Sequence, residues 1–426
     1  MAGSSRNRAA VLGGILFVGL LVGSTLAIAA SPGPGVGRGE RVPAVAPFVG
    51  VPHLSVPVGA GPFGLGYDSK DGTIWVANEN SGNVTVVSGS LNTVVVPSIT
   101  VGTDPISATY DSSNGYVYVT NVGSNNVTVI NAATHKVVVP SIVVGVRPFS
   151  SAFDSANGYV YVANEGSDNV TVINGATDKV VSPPIVVGSA PTGVAYDSIN
   201  GNLYVENFGS SNLTVIDGST DKVIVPSIPT AMGEEYGAVD TTNNTVFVAS
   251  CTDSNVTVIS GATNKIVVHA ISVGSCPRGL AFDSGNGYVY VADAGADEVS
   301  VIDAATNKLV GSPLLAGSDT FGVAVDASSG YVYVANVVSG NLTVFAPVYS
   351  GGAGSSAGST TNFLGLSSGA VYALLGVLLI WGIVGTAAAV KFSRGKPKPA
   401  PLQPAGSAPP PPPAGGSPPA PPPGAT

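Results

Sequence analysis

Charge is scarce in this chain of 426 residues: only 10% are Asp, Glu, Lys or Arg, against about a quarter in an average soluble domain. Cations are scarcer still, 16 against 25 acids, for a formal net charge of −9. A chain with so little to neutralise phosphates in bulk argues against a nucleic-acid partner. The three histidines, His53, His135 and His269, occupy unrelated positions of the repeat described below, so no His–carboxylate pair or metal cluster is readable. Two cysteines with no histidine near them make a poor zinc site. No Gly-rich phosphate loop opens a helix and no nucleophile elbow is present. The sequence therefore assigns no catalytic residue, no cofactor and no metal. What it has in abundance is glycine (56) and proline (33), together more than a fifth of the chain. Apolar residues make up 44%, with a mean hydropathy of +0.38, which is too apolar for disorder and implies large cores, membrane segments or both.

The two ends account for part of that hydropathy. Arg6 and Arg8 precede an uncharged run from Ala9 to Ala30 that closes on Ala27-Ile28-Ala29, the small-x-small pattern of an export signal. Residues 1–30 are expected to be a cleaved signal or an uncleaved anchor, with 31–52 a linker. Residues 370–390 carry no charge and are long enough, at about 1.5 Å per residue, to cross a ~30 Å hydrocarbon core. Lys391, Arg394, Lys396 and Lys398 follow at once, which fits the positive-inside rule. The expectation is one C-terminal membrane helix, a Gly/Ser-rich linker before it (347–369), and a Pro-rich cytoplasmic tail after it (391–426) acting as solvated spacer or SH3-like ligand. Six of the 16 cations lie in the ends, leaving ten against all 25 acids between them, a net −15 on the exported part. That balance argues against adhesion to anionic lipid.

Between the ends, residues 53–346 repeat. Trp75–Asn78, Tyr118–Asn121, Tyr161–Asn164, Tyr204–Asn207, Phe247–Ser250, Tyr290–Asp293 and Tyr333–Asn336 follow one another every 43 residues with no insertion or deletion. Asp68, Asp111, Asp154, Asp197, Asp240, Asp283 and Asp326 keep the same phase, as do Gly59, Gly102, Gly145, Gly188, Gly274 and Gly317. In the third copy Phe149–Phe153, Tyr159–Ala163, Val170–Ile173 and Val180–Gly188 read as four strands, the first two joined by a turn ending in Asn-Gly. Pro97, Pro140, Pro183 and Pro226 share one column of the fourth strand, where a missing N–H is tolerated only on an edge. Four antiparallel strands per 43 residues predict an all-β, seven-bladed β-propeller. The seventh copy stops after its third strand, and Leu54–Gly59 is expected to supply the fourth, closing the ring.

The literal Tyr118-Val-Thr-Asn121, the recurring Asn-Val-Thr-Val-Ile and the run from Pro191 to Asp197 resemble the YVTN-type β-propeller repeat family. The resemblance covers about two thirds of the chain. It implies the propeller fold and the setting in which such repeats occur, archaeal surface-layer proteins and related secreted bacterial propellers.

Antiparallel order puts the loop between second and third strands on the same rim as the loop that leads into each blade. The candidate ligand or partner surface is there, centred on Glu79, Asp104, Arg147 and Glu165, and expected to include Glu206, Phe208 and Glu234. Three acids and a cation break the repeat: Glu206 where other copies have Ala or Thr, Glu234 where most have Pro, and Glu235 and Arg278 where most have Phe or Ile. The last two, one repeat apart, are expected to pair as a salt bridge. Cys251 and Cys276 fall in two such loops at the boundary of blades 5 and 6 and are expected to form a disulfide. Sequons at Asn83, Asn126, Asn169, Asn212, Asn255 and Asn341 open the third strands, and Asn243 adds a seventh; they are strand-opening residues, glycosylation sites or both. The recurring Asp before each hairpin reads as a turn former. These features lead to the expectation of a membrane-anchored, cell-surface propeller, a structural or recognition element whose partners are envelope proteins or glycans. The rival is a secreted lactonase- or lyase-type propeller using acidic rim residues with a divalent metal.

Overall fold

The computed structural model describes residues 53–347 apart from 182, 232 and 233, and excludes the side chains of 53, 234 and 235. The expected signal segment, membrane helix and cytoplasmic tail lie outside the described residues. Within them the chain is all β: seven antiparallel sheets, one per repeat. Blade 1 runs Pro62–Asp68, Thr73–Asn78, Asn83–Ser88 and Thr93–Thr100 in simple meander order, and the other blades follow it at the 43-residue period. The first strands of consecutive blades lie side by side, the last against the first, in a closed ring about a central channel.

The reason the sheets cannot stand alone is visible in the burial of the middle strands. Tyr116–Asn121 and Asn126–Asn131, like their equivalents, bury residues of both pleat faces, one against the preceding blade and one against the following. The apolar core is accordingly divided into seven clusters, one at each seam between blades. The seam that joins blade 7 to blade 1 contains Val56, Ile74, Tyr333 and Leu342. Val56 belongs to His53–Pro57, which pairs antiparallel with Asn341–Phe345, His53 opposite Phe345 and Pro57 opposite Asn341. The ring is therefore closed by the segment read from the sequence, which gives blade 7 its fourth strand so that Asn341–Phe345 is not left as an unpaired edge.

Polar residues set the spacing of the seams. The second-strand Tyr reaches into the next blade: Tyr118 Oη donates to Asp178 Oδ1 at 2.7 Å and Tyr161 Oη to Asp221 Oδ1 at 2.6 Å. Across the closing seam Tyr333 Oη donates to Gly89 O at 3.1 Å. Blade 1 has Trp75 at this position, and its partner position holds His135 instead of Asp or Asn; the rings face each other at 5.7 Å. Within a blade, Asn121 Nδ2 donates to Asn126 Oδ1 (2.8 Å) and Thr128 Oγ1 (3.0 Å), and that hydroxyl donates to Pro140 O (3.1 Å). This clamp recurs in blades 1 and 4, so the sequon columns have a structural reason of their own. It also explains the glycine column, since a Cβ at Gly102 would stand 2.6 Å from Asn121 Cγ. The recurring Asp caps the hairpin as expected, Asp111 Oδ1 accepting from Ser113 N and Oγ.

The fourth strand is the sheet edge, as the proline column requires. It is not always continuous. In blade 3 the strand expected over Val180–Gly188 is broken into Lys179–Val180 and Ile185–Val186, because Pro183 and Pro184 remove two consecutive N–H donors. Blade 6 is broken at the same place into Lys308–Leu309 and Leu314–Leu315, where Pro313 occupies the column of Pro184. Where Pro stands in the Pro140 column and no second Pro follows it, the eight-residue strand survives with bulged register, as in Lys136–Val143.

Candidate functional site

In every blade but the fifth, the described residues show the leading loop and the loop between second and third strands joined by backbone hydrogen bonds. Glu79 N donates to Gly61 O (2.8 Å), Glu165 N to Arg147 O (2.9 Å) and Phe208 N to Ala190 O (3.0 Å). The leading-loop residue sits at positive φ, 52° at Asp104, 55° at Arg147 and 50° at Cys276. This left-handed position is uncommon for side chains other than Gly, Asn or Asp. Such a fixed backbone presents the side chains of the two columns side by side on one rim.

Arg147 and Glu165 meet within blade 3: Nε and Nη2 both lie 3.0 Å from Oε2. With 54% and 26% of the side chains exposed, the pair contributes little to stability, and it neutralises both rim charges. Glu79 and Asp104 approach across the seam of blades 1 and 2. Partial burial, and then the Asp104 charge, push the Glu79 carboxyl above its ordinary value. Cys251 and Cys276 occupy the same two columns at the seam of blades 5 and 6 and form the disulfide expected from the sequence. Phe208 is 43% exposed on the rim. The Glu234 side chain lies outside the described residues. Among the described residues no group of three or more His, Cys, Asp or Glu side chains comes together.

Glu206 is not on the rim. It lies in the second strand of blade 4 with 0% of its surface exposed, and neither carboxyl oxygen has a hydrogen-bond partner among the described residues. Its space comes from the next blade, where Gly237 replaces the Leu65, Val194, Leu280 and Val323 of other copies; a Cβ at Gly237 would fall 2.3 Å from Glu206 Oε1. Burial pushes the carboxyl up to about 8. The substitution was legible in the sequence; its direction was not, because that depends on the neighbouring blade.

The centre of the rim is filled by a cluster that the sequence pattern does not single out. Phe63, Phe149 and Phe321 share one position of the first strand, next to the leading loop, in blades 1, 3 and 7; Tyr236 follows in a column otherwise Gly or Ser. Phe63 and Phe321 stack with centroids 3.7 Å apart, Phe149 meets Phe63 edge-on at 5.9 Å, and Tyr236 meets Phe321 edge-on at 5.5 Å. Arg278, at the same strand position in blade 6, lays its guanidinium 5.1 Å from the Phe321 centroid. Below this closure the channel opens into a cavity of about 150 Å³, polar on one side at Ser107, Thr109, Ser150 and Ser151 and apolar on the other at Leu65, Leu280 and Val323. Phe63, Phe149, Tyr236 and Arg278 remain partly exposed, while Phe321 is buried. The expected Glu235–Arg278 pair cannot be described from the Glu235 side; on the other side Arg278 packs on an aromatic ring, and its buried Nε has no hydrogen-bond partner among the described residues. The signal available in the sequence was the Phe column itself, which reads as ordinary core until the ring places it at the channel mouth.

The chain is similar to solved propellers. Hydrazine synthase of Kuenenia stuttgartiensis matches with a TM-score of 0.59 at 19% identity, over 67% of this chain and 95% of that one. The β-propeller domain of Cps50 (Swd1) from Myceliophteria thermophila matches with 0.57 at 12% identity, over 70% of this chain and 100% of that one. At these identities the likeness is one of fold alone. No family model and no curated protein sequence matches the chain.

Proposed function

We propose that the protein is a membrane-anchored, outward-facing propeller, a recognition or structural element of the cell envelope that presents its rim to protein or glycan partners. One observation carries this reading. The third strand of blade 7 and the closing strand pair with His53 opposite Phe345, so both ends of the described chain leave on the hairpin face, opposite the variable loops. In this reading the chain that leaves on the hairpin face continues through 347–369 to the anchor at 370–390, and the variable loops are on the other face of the ring. The likeness of the repeats to surface-layer propellers and the uncharged 370–390 run with its basic flank support the same arrangement.

The test is labelling of intact cells with a membrane-impermeant amine reagent, read by mass spectrometry. Lys136, Lys222 and Lys265 are exposed on the propeller and are expected to react on intact cells. Lys391, Lys396 and Lys398 are expected to react only after permeabilisation. Propeller lysines protected until the cells are opened would refute the reading. The same spectra read glycan occupancy at the seven sequons.

A further inference from the structure

We propose that the centre of the rim binds one acidic sugar residue of a glycan, its carboxylate on Arg278 and its ring face on the aromatic closure; this deepens the recognition role proposed above and rests on it for its setting. The fold does not ask for Arg278. The same strand position holds Phe63, Ile106, Phe149, Thr192, Glu235 and Phe321 in the other blades. Of the two arginines on the rim, Arg147 is neutralised by Glu165. Arg278 is instead held 5.1 Å over Phe321. A cation–π contact fixes the guanidinium without occupying its N–H donors, and Nε is buried with no acceptor among the described residues. A planar donor set oriented by an aromatic ring and partly exposed, with no acceptor on Nε among the described residues, has the geometry of a carboxylate receptor.

The surroundings select the rest of the ligand. Phe63 and Tyr236 lie against Phe321, and Phe149 lies against both of them, with ring centroids 3.7 to 6.2 Å apart; all but Phe321 remain partly exposed, which gives apolar faces for the C–H groups of a sugar ring. Further out stand Glu79 and Asp104, two carboxylates across one seam with no salt bridge to either among the described residues. They repel a polyanion and accept hydrogen bonds from hydroxyls. One positive centre, an aromatic floor and an acidic margin together fit a hydroxyl-rich chain with one carboxylate at the axis, a uronate-type residue.

The experiment is calorimetric titration of the purified full chain with glucuronate, with glucose as the neutral counterpart and with a short peptide bearing a free C-terminal carboxylate. Glucuronate is expected to bind at least tenfold tighter than glucose, and more weakly as salt rises. Arg278→Phe restores the commonest residue of its column, so it is expected to keep the thermal midpoint while losing at least tenfold in glucuronate affinity. Phe149→Ala is expected to weaken both sugars, and Lys265→Gln on the outer strand neither. Equal binding of glucuronate and glucose, or undiminished binding by Arg278→Phe, overturns the proposal. Binding of the peptide without glucuronate replaces the sugar by a peptide terminus and overturns it as well. Because the titration uses purified protein, it fails or succeeds independently of the labelling of cells.

Discussion

Replacing Glu206 by Ala should make the protein more stable, and increasingly so as pH rises. Burial lifts this carboxyl from an ordinary 4.5 to about 8. The folded chain therefore keeps a proton that the unfolded chain gives up, and stability falls as pH climbs from 4.5 through 8 and then levels off. At about 1.36 kcal/mol per pKa unit, the penalty reaches roughly 3 kcal/mol at pH 7 and roughly 5 kcal/mol above pH 8. Even protonated, the group lacks a hydrogen-bond partner among the described residues, which adds about 1–3 kcal/mol at every pH. Against this, Ala leaves a void of about 50 Å³ beside Gly237, a cost of about 1 kcal/mol. The net expectation is a gain of about 3 kcal/mol or more at pH 8, shrinking steadily toward pH 5. Urea unfolding between pH 5 and 9, followed by fluorescence of the fully buried Trp75, measures it. Gly237→Val should be severely destabilising with Glu206 present, because its Cβ would lie 2.3 Å from Oε1. It should be tolerated in combination with Glu206→Ala, a coupling of several kcal/mol. A Glu206→Ala variant less stable than the parent at pH 8, or a difference that does not change with pH, would refute the reasoning and show that the carboxylate is ionised against an unrecognised cation.

Other expectations concern the seams. Reduction of Cys251–Cys276, which closes a separation of 25 residues, should cost about 3 kcal/mol and lower the thermal midpoint by on the order of 5 °C; an unchanged midpoint in reductant counts against a stabilising bond. Val56→Asp puts a charge into the closing seam and should cost more than about 3 kcal/mol, whereas Ser55→Asp, exposed on the same strand, should stay within about 0.5 kcal/mol. Equal effects would mean the first strand does not complete blade 7. Tyr118→Phe removes the donor to Asp178 Oδ1 and should cost about 1–2 kcal/mol; chemical denaturation at pH 7 decides it.

Much of this was legible because a repeat tests each inference seven times. Tyr118, Tyr161 and Tyr204 at one spacing can only be equivalent positions of equivalent strands, so strand number, turn chemistry, the edge position of the prolines and the closing role of Leu54–Gly59 follow from alignment of the chain with itself. The break in blade 3 is hidden because the Pro183 column carries proline in unbroken strands too; blades 3 and 6 share a proline one position later, Pro184 and Pro313, and both strands break there. Phe63, Phe149 and Phe321 do not stand out because Phe in a strand is ordinary core until the curvature of the ring brings three blades to one axis.

The 43-residue period and its two-residue alternation thus determined the architecture, since each blade is a local meander whose strands are neighbours in the chain. The tertiary structure alone decided which residues face one another between blades. Glu206 with Gly237, Trp75 with His135 and Arg278 with Phe321 are pairs from different repeats, joined by the twist and closure of the ring. A column assigns a residue its place within a blade; whether that place opens on solvent, on a seam or on the axis depends on the sheet packed beside it.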